Sequence, residues 1–335
     1  MAPAVDGTGG GSHTHPMQCD HAVILAQPFA GLQAQAIGLA ERAGLSRSVH
    51  SLRPYRPWGW IPAARWPMPL AAVEPIGLLP DGVVMSVGGM GAAVGAALRK
   101  RGRSVVQIQN PRMRLDRFDL VVANTHDELR GPNVLVSRNA LHRVGAAQLE
   151  AARAEWLPRL AHLPRPLVAV LIGGSNGRFR LDAAVGAHLA RQLADMMRAD
   201  DVGLMVTPSR RTGAVVMRAL EADLAPLGAW IWDLQGDNPY LGMLACADAI
   251  IVTTDSVSMI SEAAATSVPV MVAGLPGRSR RIGLFVRTMC EAGRVRPYTG
   301  RLETWQAQAL DDTPAVAHEM RRRLGMGEQL HVEIG

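Results

Sequence analysis

The chain is predicted to fold as two α/β domains, each a doubly wound, Rossmann-like parallel sheet, facing one another across a cleft. Three observations predict this. Short β-branched apolar runs alternate with helix-period segments along the sequence, the pattern of βαβ units. At 335 residues the chain exceeds the size at which one hydrophobic core stops growing, so two domains of roughly 150 residues are expected. Glycine-rich turns follow strands at corresponding places in the two halves, "SVGGMGAAVG" (86–95) and "LIGGSNGRF" (171–179), and such sheets bind ligands outside the carboxyl ends of their strands.

The elements follow in order. Residues 1–18 are expected to be a disordered tail: they are Gly/Pro-rich and lack the basic start and apolar core of a signal peptide. The first domain is expected over 19–160. "HAVILAQ" reads as its first strand, "LQAQAIGLAERAG" as a helix stopped by Gly44, and "GVVMSVGG" as a strand. "AAVGAALRKRG" reads as a helix stopped by Gly102, and "SVVQIQN" and "FDLVVANT" as two more strands. Residues 54–70 hold five prolines and three tryptophans, so they form neither regular helix nor central strand. An irregular loop packed by its indole rings is expected there, with a lipid- or partner-facing patch as the alternative. A helix at 145–157 and a proline-punctuated stretch lead to the second domain, 161–335, whose last helix is a candidate to cross back. It restarts with the strand "LVAVLIGG", a helix over 182–198 with Val185, Leu189 and Leu193 on one stripe, and the strand "VGLMVTPS". A helix through "TGAVVMRALEADLA", a strand "AWIWDL" and a short helix at 239–246 follow. Then "IIVTTDSVSMISEAAATSVPVMVAG" (250–274) passes from strand through small polar residues into an alanine-rich helix and back to strand.

Composition excludes several classes. The net charge of +6 is carried by arginine, with Lys100 the only lysine, and no basic run is longer than Arg321-Arg322-Arg323. With aromatic residues at 4%, nucleic acid is not an expected partner. Three scattered cysteines without CxxC spacing argue against a disulfide framework and a structural zinc site, and fit a reducing compartment. The apolar stretch over 22–40 is interrupted by Gln27, Pro28, Gln33 and Gln35, and no span of ~20 apolar residues exists, so no transmembrane helix is predicted.

Candidate chemistry gathers at strand ends. Gly173, Gly174 and Gly177 allow a sharp turn with exposed N–H groups, and Ser175 and Asn176 add hydrogen-bonding capacity suited to phosphate. In "TPSRRTG" (207–213), Arg210 and Arg211 beside Ser209 and Thr212 could clamp an anion; a solvated, helix-capping loop is the alternative. If Asp255 or Ser256 caps the following helix, its N-terminus faces the cleft and favours an anion. Ser258 and Glu262 lie four apart on one helix face, where the carboxylate could hold a vicinal diol. In the first half, Gly89 and Gly91 begin a GxG, but Val94 stands where a third glycine belongs; close helix–strand packing competes with ligand contact there. A dehydrogenase or epimerase with a Tyr-x-x-x-Lys pair is excluded, because Ala96 precedes Lys100 by four.

These motifs resemble two families. "SVGGMGAAVGAALRKRGRSVVQIQN", "VLIGGSNG" and "TDSVSMISEAAATSVPV" resemble, in order, the GT-B glycosyltransferases, especially the lipid-linked peptidoglycan N-acetylglucosaminyltransferase. That resemblance implies a GT-B-like fold in which Gly173, Gly174 and Ser175 border nucleotide phosphates and Glu262 binds the ribose. Over about residues 20–300 the chain more closely resembles the "elongated mitochondria" fission-factor family, through "QNPR" (109–112), "HDEL" with "GPNVL" (126–135), "SRRTG", "GDNPYLGMLACAD" (236–248) and "VTTDSVSMISEA". In plants that family is implicated in recruiting a dynamin-like GTPase to the mitochondrial outer membrane.

The implied function is binding of a nucleotide-diphosphate sugar, of UDP type, as donor for glycosyl transfer to an envelope or lipid-linked acceptor, without cofactor or metal. The alternative is a non-catalytic scaffold recruiting a membrane-remodelling or envelope partner. The first loop, "AQPFAGLQAQ", lacks the histidine that the glycosyltransferase presents, so His126 and Asp127 are the candidate catalytic residues. Asn110, Asn238 and Tyr240 are further cleft candidates. Cytoplasmic location is expected, with peripheral attachment at the inner membrane face where the acceptor is lipid-linked.

Overall fold

The structure, a computed structural model, describes residues 20–327; the expected tail at 1–18 lies outside them. The first domain contains strands β1 (His21–Ala26), β2 (Ser46–Ser51), β3 (Val83–Val87), β4 (Val105–Ile108), β5 (Leu120–Asn124) and β6 (Val134–Ser137), with helices α1 (Ala30–Arg42) and α2 (Gly88–Arg99). The second contains β7 (Leu167–Ile172), β8 (Gly203–Pro208), β9 (Trp230–Ile231), β10 (Ala249–Thr253), β11 (Val270–Ala273) and β12 (Val295–Pro297). Its helices are α3 (Ala146–Leu160), α4 (Ala183–Asp200), α5 (Ala214–Leu224), α6 (Tyr240–Cys246), α7 (Val257–Ala264) and α8 (Arg280–Glu291), and α9 (Thr313–Arg323) is the last described helix.

Each domain is one six-stranded parallel sheet, ordered β2-β1-β3-β4-β5-β6 and β12-β11-β10-β7-β8-β9. The central strands β3, β7, β8 and β10 are buried at every residue, because helices cover both faces. This is the doubly wound pair of domains that the alternating pattern predicts, a GT-B architecture.

Two features depart from the sequence reading. Trp156 and Leu160 of α3 belong to the second domain's core, and an added Cβ at Gly242 of α6 would meet the Trp156 ring, so α3 packs with the second sheet although the expected boundary lay at 160. The strand expected at "AWIWDL" shrinks to Trp230–Ile231. α9 packs on α1 and contributes Val316, Ala317 and Met320 to the first domain's core. In the proline-rich excursion at 54–70, Trp66 is buried and its Nε1–H donates to the carbonyls of Trp58 and Ile61, whereas Trp60 is 77% exposed beneath the Arg56 guanidinium. Among the described residues, no helix is long and apolar enough to cross a membrane.

Candidate functional site

The carboxyl ends of β7, β8 and β10 form one wall of the cleft, and the sequence explains why it is rigid. Gly173 and Gly174 follow β7. A Cβ on Gly173 would fall 2.3 Å from both carboxylate oxygens of Asp255, and one on Gly174 would fall 2.2 Å from the Arg211 carbonyl. Only glycine permits such approach. The Gly173 N–H donates to Thr253 Oγ1 (2.8 Å), and the Gly174 N–H to Asp255 Oδ2 (3.1 Å). Asp255, its side chain fully buried, also accepts from Thr253 Oγ1 (2.7 Å) and pairs with Arg211 (2.8 Å). Ser209 and Thr212 donate their hydroxyls to the Gly173 carbonyl. Ser175 Oγ bridges the N–H and carbonyl of Leu181, and Asn176 Oδ1 accepts from Arg178 and Phe179.

Most of the small polar groups expected to meet phosphate are therefore engaged within the turn, and Asp255 anchors it rather than capping a helix. Ser256 is the N-cap of α7, accepting from Met259 N–H at 3.4 Å. The N–H groups of Val257 and Ser258 have no hydrogen-bond partner among the described residues and point toward the cleft end of the helix.

Between the domains lies a cavity of about 990 Å³, lined on the second-domain side by Asn176, Ser209, Arg210, Ser256, Ser258 and Glu262, among others. Seven arginines line it against two carboxylates. Arg211, Arg280 and Arg281 are paired with Asp255, Glu128 and Asp127. Arg112, Arg178, Arg210 and Arg278 have no acidic partner among the described residues. A surplus of unpaired guanidinium groups in a confined cleft raises the local concentration of anions.

Glu262 is open to the cavity on one side and enclosed by protein on the others. Tyr240 Oη donates to its Oε2 (2.5 Å). Burial pushes the Glu262 carboxyl up to about 7, and desolvation with the adjacent carboxylate pushes the Tyr240 phenol well above its ordinary value. Glu262 is thus poised between protonated and ionised forms near neutrality.

The first-domain wall is made by the start of α1, Gln35, Gln109, Arg112, Asn124 and His126. His126, in the turn after β5, packs edge-on against Phe285 of α8, centroids 5.4 Å apart, and burial lowers its pKa, keeping it neutral. Its Nδ1 is buried without a hydrogen bond. Asp127 is not available to orient it: its carboxylate accepts from Asn124 N–H (3.4 Å) and pairs with Arg281. His126 and Asp127, expected to act together, are not joined.

Asp127, Gly173, Gly174, Ser175 and Thr212 do not line the cavity, and four other expected residues also lie off it. Gly91 packs on the sheet, its hypothetical Cβ 3.0 Å from the Leu25 carbonyl, and Gly89 faces open space. Asn110 accepts from Arg112 N–H and Asn238 from Tyr240 N–H, both as local turns. The sequence reading does not single out Gln35, Arg112, Arg178 or Arg278 as site residues; Arg112 stands inside the quoted "QNPR" and Arg278 opens the arginine-rich turn before α8, which are the available signals. Among the described residues, no group of three or more His, Cys, Asp or Glu is placed to hold a metal ion.

Comparison with known proteins gives this geometry a family. The family described as "Mitochondrial fission ELM1" matches residues 30–324. The chain belongs to that family. It is 36% identical over 250 residues to the mitochondrial fission protein ELM1 of Arabidopsis thaliana, covering 66% of this chain and 58% of the relative, so the match spans under two thirds of that protein's length. It is 26% identical over 281 residues to an uncharacterized protein of Rickettsia prowazekii (strain Madrid E), covering 71% of this chain and 78% of the other. Among solved structures, MurG of Acinetobacter baumannii is similar with a TM-score of 0.50 at 16% identity, covering 91% of this chain and 92% of that one. UDP-GlcNAc 2-epimerase of Methanocaldococcus jannaschii, in complex with UDP-GlcNAc and UDP, has a TM-score of 0.50 at 12% identity, over 90% and 98% of the two chains. Os79 from O. sativa, in complex with UDP and deoxynivalenol-3-glucoside, has a TM-score of 0.50 at 12% identity, over 90% of each chain. The three structural likenesses show the fold.

Proposed function

We propose that this ELM1-family chain binds a nucleotide-diphosphate sugar, of UDP type, in the interdomain cavity and transfers the sugar to an acceptor held on the first-domain wall. The observation that carries this reading is the second-domain wall itself: unpaired Arg210 and Arg178 and the free N-terminus of α7 converge where a diphosphate needs charge. An anion at such a helix end gains about 0.3–1 kcal/mol, and each charge-assisted hydrogen bond from arginine about 1.5–3 kcal/mol. Glu262, one turn further into α7, accepts from a ribose hydroxyl through its free oxygen while Tyr240 holds the other. The UDP found in the complexes of the epimerase and Os79 supports the choice of base.

In the transfer, the acceptor hydroxyl oxygen attacks the anomeric carbon, the bond from that carbon to the diphosphate oxygen breaks, and the hydroxyl proton passes to neutral His126, whose imidazole lines the cavity. Arg210 and the α7 N-terminus receive the negative charge of the departing diphosphate. A lipid-linked acceptor would place this reaction at a membrane surface.

The second reading is a non-catalytic scaffold. It is favoured by the Gly173 and Gly174 N–H groups, which are already satisfied by Thr253 and Asp255 instead of free for phosphate. Thermal shifts with UDP, GDP, CDP and ADP sugars separate the two, because a ligand that binds only the folded state raises the midpoint by mass action. Stabilisation by a UDP sugar, lost in Arg210→Ala and weakened in Glu262→Ala, is the expected result; no shift with any nucleotide would leave the scaffold as the surviving reading.

A further inference from the structure

The donor reading uses Arg210, Arg178 and the N-terminus of α7, and leaves Arg278 without a role. Arg278 sits in the loop after β11, and Arg178 in the loop after β7. β11 and β7 flank β10 in the sheet, and α7 follows β10, so these two loops meet beside the start of α7. Both arginines line the cavity.

The meeting is a short antiparallel clip. Phe179 and Gly277 form a bridge, the Arg278 N–H donates to the Arg178 carbonyl (3.1 Å), and the Arg180 N–H donates to the Pro276 carbonyl (2.8 Å). Glycine is required at 277, where φ is 139° and a Cβ would fall 2.2 Å from the Arg178 carbonyl. Asn176 Oδ1 fixes the other arm by accepting from the N–H groups of Arg178 (2.8 Å) and Phe179 (2.9 Å). In this register Arg178 stands directly opposite Arg278, and Arg180 opposite Pro276.

Like charges directly opposite one another destabilise a strand pair. Neighbouring cations are relieved: Arg180 pairs with Asp182 (3.0 Å), Arg280 with Glu128 and Arg281 with Asp127. Arg178 and Arg278 have no acidic partner among the described residues. The clip therefore holds two guanidinium groups together at the cavity with nothing between them to offset their repulsion.

A count of charge says what is missing. The diphosphate of a nucleotide sugar carries about one negative charge on each phosphate, which Arg210, Arg178 and the charge of about +0.5 at the α7 N-terminus already match. Arg278 is then one cation in excess on the donor wall. A carboxylate supplies one negative charge, and its two coplanar oxygens fit the guanidinium fork.

We propose that Arg278, with Arg178 opposite it, binds a carboxylate on the sugar of the donor, so that the substrate class is a nucleoside-diphosphate uronic acid. This specificity rests on the donor reading, and one set of titrations tests the two separately. UDP, UDP-glucose and UDP-glucuronate are titrated calorimetrically into the wild type and variants; the last two differ by a carboxylate in place of a hydroxymethyl group. UDP-glucuronate should bind about tenfold or more tighter than UDP-glucose, the worth of one charge-assisted hydrogen bond. Arg278→Gln, which keeps the backbone bonds of the clip, should erase that preference and leave UDP affinity unchanged. Arg112→Asn removes a cation from the opposite wall and should leave the preference intact. Without ligand and at low salt, Arg278→Gln should raise the melting temperature by about 1–2 °C, because a like-charge contact is gone.

If UDP binds and the wild type shows no preference for the uronate, the carboxylate site is refuted and the donor site stands. If no UDP compound binds, the donor reading falls and takes the carboxylate site with it. A preference that survives Arg278→Gln, or is lost equally in Arg112→Asn, would assign it to the general field of the cleft and overturn the proposal. UTP binding as tightly as UDP-glucuronate, and through Arg278, would put a third phosphate there instead of a sugar carboxylate. A lowered melting temperature in Arg278→Gln would show that this guanidinium is already partnered, which also overturns the proposal.

Discussion

Each half of this molecule carries a glycine turn at a strand end, after β3 in the first sheet and after β7 in the second, yet the two turns use glycine for different ends. At Gly173 and Gly174 the missing side chains let backbone N–H groups reach Thr253 and Asp255, and six polar contacts within a few residues lock the turn. At Gly88–Gly91 they let α2 settle onto β1 and β3, with Gly91 close to the Leu25 carbonyl and Gly95 against Ser86. One turn is a polar scaffold that positions arginines; the other is a packing joint. A glycine pattern in a sequence cannot separate these uses, because both demand the absence of a Cβ.

The largest test of that contrast is Gly173→Ala against Gly91→Ala. The first drives a methyl group into the Asp255 carboxylate and should lower stability by about 3 kcal/mol, through both overlap and loss of the polar lock. The second asks Leu25 to yield by a few tenths of an ångström and should cost about 1 kcal/mol. At about 2–4 °C per kcal/mol for domains of this size, differential scanning calorimetry resolves the two. Equal losses would mean that the wiring around Asp255 contributes nothing beyond ordinary packing.

Next in size, Arg210→Ala should weaken UDP binding by about tenfold to a hundredfold, the worth of one charge-assisted bond, with stability unchanged because this side chain has no partner to lose among the described residues. Arg211→Ala should show the reverse emphasis, lowering stability by leaving buried Asp255 short of a cation. If both variants lose only affinity, the division between scaffold and ligand-facing arginines is wrong.

Glu262 provides a pH-dependent test on the same wall. Its folded-state carboxyl lies at about 7, above the ordinary 4.5, so the native state holds a proton that the unfolded state releases. Stability is therefore lost as pH rises from the unfolded toward the folded value. Glu262→Gln removes the titration. Its melting temperature should gain on the wild type between the unfolded value and the folded value of about 7, most steeply midway between the two. Parallel pH profiles would contradict burial as the cause.

Much of this fold is readable from pattern. The runs "LVAVLI" and "AIIVT" are buried strands because apolar β-branched residues with helices on both sides leave them nowhere else to go. β2, "SRSVHS", escapes notice because an edge strand needs no apolar alternation. The boundary near 160 slips because α3 buries only Ala152, Trp156 and Leu160, and no local signal says which sheet receives them. Within the site, residue types at strand ends are legible, but their roles are not: Ser209, Thr212 and Asp255 suit phosphate and suit the turn equally well, and only their partners decide. Arg112 and Arg278 come from loops, Arg278 donating its N–H to the Arg178 carbonyl of a distant loop, so spacing alone cannot bring them to the cavity.

The smallest effect is the most discriminating for the first half. Gly89 lies in the first turn of α2 with nothing within 4 Å of the position an alanine methyl group would take, and its backbone is not left-handed. Alanine there loses less chain entropy on folding, so Gly89→Ala should stabilise the protein by about 0.5–1 kcal/mol and leave UDP affinity unaltered. The same substitution in a turn that cradles a diphosphate would block the approach of the phosphate oxygens and cut affinity sharply. A stabilised protein with intact binding thus keeps Gly89 in the packing joint, while a stabilised protein that no longer binds UDP would move the nucleotide's phosphates to the first domain and invert the comparison between the two turns.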